Sequence, residues 1–177
     1  EAVPTYRSVL LHYDPAELDY VTVVAKVSQR LDALGPPLEI VRPVLEIPVY
    51  YGGQHGPDLE EVAQMHCLTP AEVIEIHNRR EYCVYMIGFT PGFPYLGEVD
   101  ESIATPRLET PRTRVPAGSV GIAGRQTGIY PIDSPGGWRL LGYTPVQLFD
   151  VERDPPSLLS PGDRVRFIPV SGDVGGR

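Results

Sequence analysis

The chain has 177 residues, 42% of them apolar, and a formal net charge of -8 at pH 7. That length holds one large domain or two small ones with an ordinary core. The acidity argues against nucleic acid and acidic membranes as partners, since each needs a basic face to release counterions or neutralise head groups.

The chain opens EAVPTYRSVLLHY, without a Met and almost directly in a strand, so its true start is left open and the first elements of its N-terminal part are expected to be truncated. Tyr6 to Tyr13 reads as a strand ending at the Asp14-Pro15 turn. Val21, Val24, Leu31 and Leu34 recur at helical spacing after Asp19, a capping residue, and Gly35-Pro36-Pro37 stops the helix. Leu38 to Tyr51 predicts one long or two short strands, and Pro43 and Pro48 put it at a sheet edge or a bend. Two short helices follow, LEEVAQMH after Asp58 and a second opened by Thr69-Pro70-Ala71-Glu72, a capping box with proline in the first helical position. His77, at the end of that helix, reads as a favourable charge near the C-terminal dipole. Tyr82 to Gly88 is an apolar strand. Cys67 and Cys83 read as buried thiols with no disulfide framework.

From Gly88 to Pro145 no helical period survives: ten glycines and eight prolines fall among apolar side chains in these 58 residues. A linker would lack the bulky residues, so the stretch is folded and turn-dense. Thr90-Pro91-Gly92, Pro116-Ala117-Gly118, Ser134-Pro135-Gly136-Gly137 and Ser160-Pro161-Gly162-Asp163 separate short strands, which predicts an antiparallel barrel or sandwich. RVRFIPV (164 to 170) is the last strand, and the polar tail SGDVGGR is expected to fray. The organisation is therefore α+β: an α/β part over residues 1–80 and an all-β part over 81–177.

Familiar chemical motifs fail on inspection. GSVGIAGRQT (118 to 127) has the wrong glycine spacing for a phosphate loop and lacks its Lys-Ser/Thr, and no helix follows that would make it a dinucleotide turn. AGSVG has Ala where a nucleophile elbow begins with Gly, so Ser119 reads as a turn residue. All four histidines lie outside the stretch, no ligand pair has zinc spacing, and no metal is expected. Three features stay open. Gly121, Gly124 and Gly128 mark either tight barrel corners or close approach by a ligand or partner. Arg107, Arg112, Arg114 and Arg125 face the single acid Glu109 within Ser102 to Ile132, so they either receive a small anion or pair with Glu98, Asp100 and Glu101. Phe89, Phe93 and Tyr95 in FTPGFPY are either core or a presented, partner-facing loop.

GFTPGFPYLG (88 to 97), PRLETPR with VPAGSVGIAGRQTGIYP (106 to 131) and SPGGWRLLGYTP (134 to 145), with IPVYYGG and LTPAEVIEIH upstream, closely resemble the family known as allophanate hydrolase subunit 1 or KipI-like, largely understood as the B-type subunit of bacterial ATP-dependent 5-oxoprolinase. The resemblance covers nearly the whole chain. It implies a small N-terminal α/β domain followed by a cyclophilin-like antiparallel β-barrel, with no prolyl isomerase activity to be expected from the barrel alone. It further implies a non-autonomous subunit that shares a substrate site with a homologous, biotin-dependent-carboxylase-like second subunit (2 or C). A third, lactam-utilisation subunit completes the complex, which needs ATP; this chain alone is expected to bind no cofactor and to be inactive. The motif match carries over Arg107, Arg112, Gln126, Tyr130, Ser134, Gly136 and Trp138 as substrate-binding or interface candidates and assigns no catalytic base. Tyr143 stands where a basic residue is expected before Thr144-Pro145. The alternative function is regulatory: docking of the FTPGFPY loop or a barrel face on a sensor histidine kinase. With no apolar run near the roughly 20 residues that span a bilayer, and no signal peptide visible, the cytoplasm is the expected location.

Overall fold

A computed structural model describes residues 1–35 and 42–171, which divide into two compact units at Arg42/Pro43. In the first, β1 (Ala2–Pro4) pairs antiparallel with β2 (Val9–Leu11). The predicted strand from Tyr6 is shorter than expected because the Thr5 amide donates to Ser8 O at 2.8 Å, so Tyr6 and Arg7 form the hairpin turn. Helix α1 (Tyr20–Asp32) begins where expected, with the Asp19 carboxylate accepting from the Thr22 amide at 2.7 Å. None of the described residues of this unit is buried. The predicted strand over Leu38 to Val41 and the tail beyond Ser171 lie outside the described residues.

The second unit runs in chain order through β3 (Val44–Tyr51), α2 (Leu59–Met65), α3 (Pro70–Asn78), β4 (Glu81–Ile87), β5 (Pro94–Gly97), a 3₁₀ turn (Glu101–Ile103), β6 (Arg112–Val115), β7 (Ser119–Ala123), β8 (Gln126–Ile129), β9 (Ser134–Gly136), β10 (Arg139–Tyr143) and β11 (Arg164–Pro169). Seven strands close a barrel in the order β10-β3-β11-β4-β5-β8-β7, and β6 pairs with β9 as a separate ribbon. Two sequence expectations change. The barrel is mixed, because β3 and β11 run parallel over Val44 to Val49, while its other pairs are antiparallel. Its compact unit also starts at Pro43 and not near residue 80, since β3 is a barrel strand and α2 and α3 pack on β10 and β11. Pro48 sits inside a closed barrel, not at an edge; β10 pairs only with Tyr50 and Tyr51, so the missing Pro48 amide costs no ladder bond on that side.

Alternation divides the strands between two apolar clusters. Ile47, Val49, Val84, Leu96, Ile122, Ile129, Leu141, Val165 and Phe167 fill the interior with Leu59 and Val62 from α2 and Val73 from α3. The neighbours Tyr95, Ala123 and Leu140 point the other way, into a second cluster with Phe93, Val115, Tyr130 and Trp138. The expected glycine contacts are with the chain itself: a Cβ on Gly128 would stand 2.8 Å from Pro94 O and 3.0 Å from Trp138 Cζ3, and Gly124, at φ +56, turns β7 into β8.

His77 is a core residue, contrary to its expected role as a charge at a helix end. It is fully buried and stacks on Phe167 with ring centroids 4.7 Å apart. Thr127 Oγ1 gives its proton to Gly121 O at 3.0 Å, so at 2.9 Å it accepts from His77 Nε2. That fixes the tautomer: Nδ1 is the acceptor, and the Tyr51 hydroxyl donates to it at 2.7 Å. The Tyr82 hydroxyl donates to His77 O at 2.7 Å. Burial lowers the His77 pKa to about 3 and raises that of Tyr51 well above the usual range, so the chain of bonds is neutral. Cys67 is also corrected: it is exposed, at φ 55, where the chain turns out of α2, whereas Cys83 is partly buried.

Candidate functional site

The second apolar cluster floors a cavity of about 280 Å³ in the barrel unit. One side comes from the FTPGFPY turn after β4. Its backbone closes on itself, Gly88 N to Phe93 O at 3.0 Å and Phe93 N to Thr90 O at 3.1 Å, and Gly92 supplies a positive φ of 77. This turn drives Phe93 inward, to 1% exposure, and leaves Phe89 at φ 70 and 61% exposed. Phe93 is the hub of the floor, meeting Phe89, Tyr95, Tyr130 and Trp138 edge to face at centroid distances of 5.6, 5.0, 5.2 and 5.3 Å. Such arrangements add to plain area burial and hold each ring at one angle. The opposite wall is the β6/β9 ribbon and its flanks, Pro111, Pro135, Gly136 and Gly137. Gly136 is required there because a Cβ would land on the Tyr130 hydroxyl.

One formal charge lines the cavity. The Arg107 guanidinium carbon lies 6.0 Å from the Trp138 ring centroid, within cation–π range, and no carboxylate among the described residues pairs with it. The other arginines of the basic window are committed. Arg112 Nη2 donates to Asp58 Oδ1 at 2.6 Å, Arg114 pairs with Asp133 at 2.6 Å, and Arg125 pairs with Glu98 at 2.7 Å and Glu101 at 3.4 Å.

Of the residues singled out in the sequence, Arg107, Tyr130, Gly136, Trp138, Phe89, Phe93 and Tyr95 come together around this cavity. Ser134 precedes the lining residue Pro135, and its buried Oγ has no partner among the described residues. Arg112 stands behind the wall: Nη1 donates to Trp138 O at 3.4 Å, while Asp58 Oδ2 accepts from the Leu140 amide at 2.6 Å. The Asp58–Arg112 pair thus holds the strand entry that carries Trp138. Gln126 is elsewhere, paired with Gly97 and Ala123 at the far end of β8. Asp58 makes no side-chain cap to α2, despite its position before that helix; its carboxylate is spent on Arg112 and Leu140. Pro111, Pro135 and Gly137 also line the cavity; the Pro-Gly-Gly run is the local signal for the last two, and Pro111 has none beyond its place beside Arg112.

The hydroxyl-bearing residues of the lining are Tyr95 and Tyr130. Burial raises both pKa values; Arg107 opposes the rise at Tyr95, and the Trp138 amide and then Arg107 oppose it at Tyr130. Both remain O–H groups at neutral pH, so they donate hydrogen bonds and do not act as bases. One guanidinium and two hydroxyls beside an aromatic floor form a lining whose chemistry is complementary to a small anion with an apolar body. Among the described residues no group of His, Cys, Asp and Glu is placed to hold a metal ion, and no helix is long and apolar enough to cross a membrane.

The chain is similar to Kluyveromyces lactis urea carboxylase with a TM-score of 0.77, over 97% of this chain and 18% of that one; at 20% identity this shows the fold alone. Residues 1–159 match the family described as "Carboxyltransferase domain, subdomain C and D", and the chain belongs to that family. The chain is 48% identical over 181 residues to the B-type subunit of 5-oxoprolinase from Bacillus subtilis (strain 168), covering 97% of this chain and 75% of the relative. The crystal structure of PH0987 from Pyrococcus horikoshii is similar at a TM-score of 0.70 and 50% identity, covering 96% of this chain and 78% of that one.

Proposed function

We propose that this chain is a B-type subunit of an ATP-dependent 5-oxoprolinase and supplies the barrel half of a substrate site shared with a homologous second subunit. The reading is carried by its 48% identity, across 97% of its length, to a protein named as that subunit of 5-oxoprolinase. The cavity supports it: 5-oxoproline is a small ring with one carboxylate, and the cavity pairs aromatic walls with one guanidinium that meets no acid among the described residues, a geometry suited to charge-assisted hydrogen bonding. Its lining residues offer hydrogen-bond donors but no general base, which fits a subunit that binds and orients while the second and third subunits bring ATP and the attacking water. This chain is inactive alone and works in the cytoplasm. The kinase-docking alternative loses its main support in the FTPGFPY loop, where Phe93 is buried and Phe89 alone of the two rings projects.

Reconstitution with the two partner subunits tests this. Glutamate formation from 5-oxoproline and ATP requires this chain and falls at least about tenfold with Arg107→Gln, as for loss of a charged hydrogen bond. Turnover without the chain refutes the subunit reading, and full turnover by R107Q removes the cavity from the site.

A further inference from the structure

We infer that the Arg107 cavity selects its ligand by the charge on nitrogen, accepting small cyclic monocarboxylates whose ring nitrogen is neutral or absent and rejecting those that carry an ammonium. The inference rests on the proposed function and adds a rule for substrate choice and product release. Its basis is the imbalance of the lining: five aromatic rings, two prolines, two glycines and the lone charge of Arg107, with no carboxylate among them. A carboxylate meets Arg107, whose planar fork is backed by the Trp138 ring and whose N–H edges are free of any acid among the described residues. An ammonium on the same small ring has no anion to meet.

Aromatic cavities often favour cations, so the sign has to be decided. The Trp138 face is already turned to Arg107, and the Phe93 contacts are edge to face. A second positive charge on a ligand anchored by its carboxylate would sit about 5 Å from the guanidinium, where like-charge repulsion at the partly screened dielectric of a cleft outweighs one cation–π contact. The ligand's own ammonium would also leave water for a lining that offers it no anion and, among its side chains, only the Tyr95 and Tyr130 hydroxyl oxygens as acceptors.

The rule bears directly on lactam opening. Water oxygen adds to the ring carbonyl carbon, the C–N bond breaks, the carbonyl becomes a carboxylate, and the released nitrogen takes both protons of the water and becomes an ammonium. The net charge of the small molecule stays at minus one, yet the neutral nitrogen has become a cation and the ring has become a flexible chain. The cavity therefore binds the substrate and not the product, so opening the ring releases it.

Trp138 is the only tryptophan, so its fluorescence reports the cavity directly. The full chain is titrated with 5-oxoproline, cyclopentanecarboxylate, proline and glutamate. The first two give saturable changes with Kd about 1 mM, the range open to so few heavy atoms. Proline and glutamate bind at least about tenfold more weakly, and R107Q abolishes the preference while Arg107→Lys keeps its order. Proline binding as well as 5-oxoproline overturns the inference, as does the lack of a saturable response to either neutral-ring carboxylate up to about 20 mM. The two readings fail separately. A reconstituted complex that makes glutamate beside a chain that does not discriminate sinks the selection rule alone. A chain that discriminates within a complex that makes none leaves the rule standing and sinks the 5-oxoprolinase assignment.

Discussion

Acid should weaken this protein through His77 well before its carboxylates titrate. The folded state holds the imidazole neutral with a pKa of about 3, because burial penalises the charge while its Nδ1 lone pair accepts from Tyr51. An unfolded histidine titrates near its ordinary value of about 6.5. Between those values the unfolded state binds the extra proton, so stability rises with pH: the contribution is complete above about pH 6.5 and is lost as pH falls toward 3. From those two values, the loss from pH 7 to pH 5 is about 2 kcal/mol, or roughly 5 °C in Tm for a domain of this size. The titratable groups facing the ring, Tyr51 and Tyr82, both have raised pKa values and stay protonated throughout. Urea denaturation followed by Trp138 emission, on the wild type and on His77→Gln, isolates the effect. Gln presents a carbonyl to Tyr51 and an amide to Thr127 but takes up no proton, so it starts less stable for want of the Phe167 stack. The gap between the two proteins should then narrow by about 2 kcal/mol between pH 7 and pH 5. A gap constant to within about 0.5 kcal/mol would refute the neutral, buried assignment.

Arg112→Ala should cost about 3 kcal/mol in urea denaturation, because it strands the Asp58 carboxylate, 4% exposed, without its ion-pair partner; a loss under about 0.5 kcal/mol would return Arg112 to the list of free cations. Phe89→Gly should leave stability within about 0.5 kcal/mol, since the side chain is 61% exposed and its φ of 70 suits glycine, yet should reduce co-purification with the second subunit. Unchanged co-purification would take Phe89 out of the partner-facing surface.

What the sequence discloses here tracks how far apart the interacting residues are. The start of α3 is legible because both halves of its capping box lie within Thr69 to Glu72, and the Asp19 cap of α1 is equally local. The place of His77 is not, since Tyr51, Thr127 and Phe167 reach it from three strands scattered over more than 100 residues. The arginines show the same divide. Pairing of Arg125 with Glu98 and Glu101 is one of the two readings the sequence leaves open, and it holds, but Asp58 lies 54 residues before Arg112 and carries the signature of a helix cap. With Arg112, Arg114 and Arg125 each occupied, the anion reading of the basic window narrows to Arg107.

Neighbouring residues on the same barrel strands serve different ends. Leu96, Ile122 and Leu141 enter the interior that binds α2 and α3, while Tyr95, Ala123 and Leu140 build the floor under Arg107. A strand carries both because successive side chains point to opposite faces, so the floor inherits the rigidity of a closed sheet without taking part in its interior packing. Gly128 lets the two layers approach: its missing Cβ is what allows the Trp138 ring to lie on the sheet, and Gly136 does the same for the ribbon over Tyr130. The glycines and prolines of this stretch therefore hold aromatic rings against a rigid surface around a guanidinium that no acid among the described residues pairs with. That geometry exists before any ligand arrives, and it lets binding energy go to orientation in place of ordering the site.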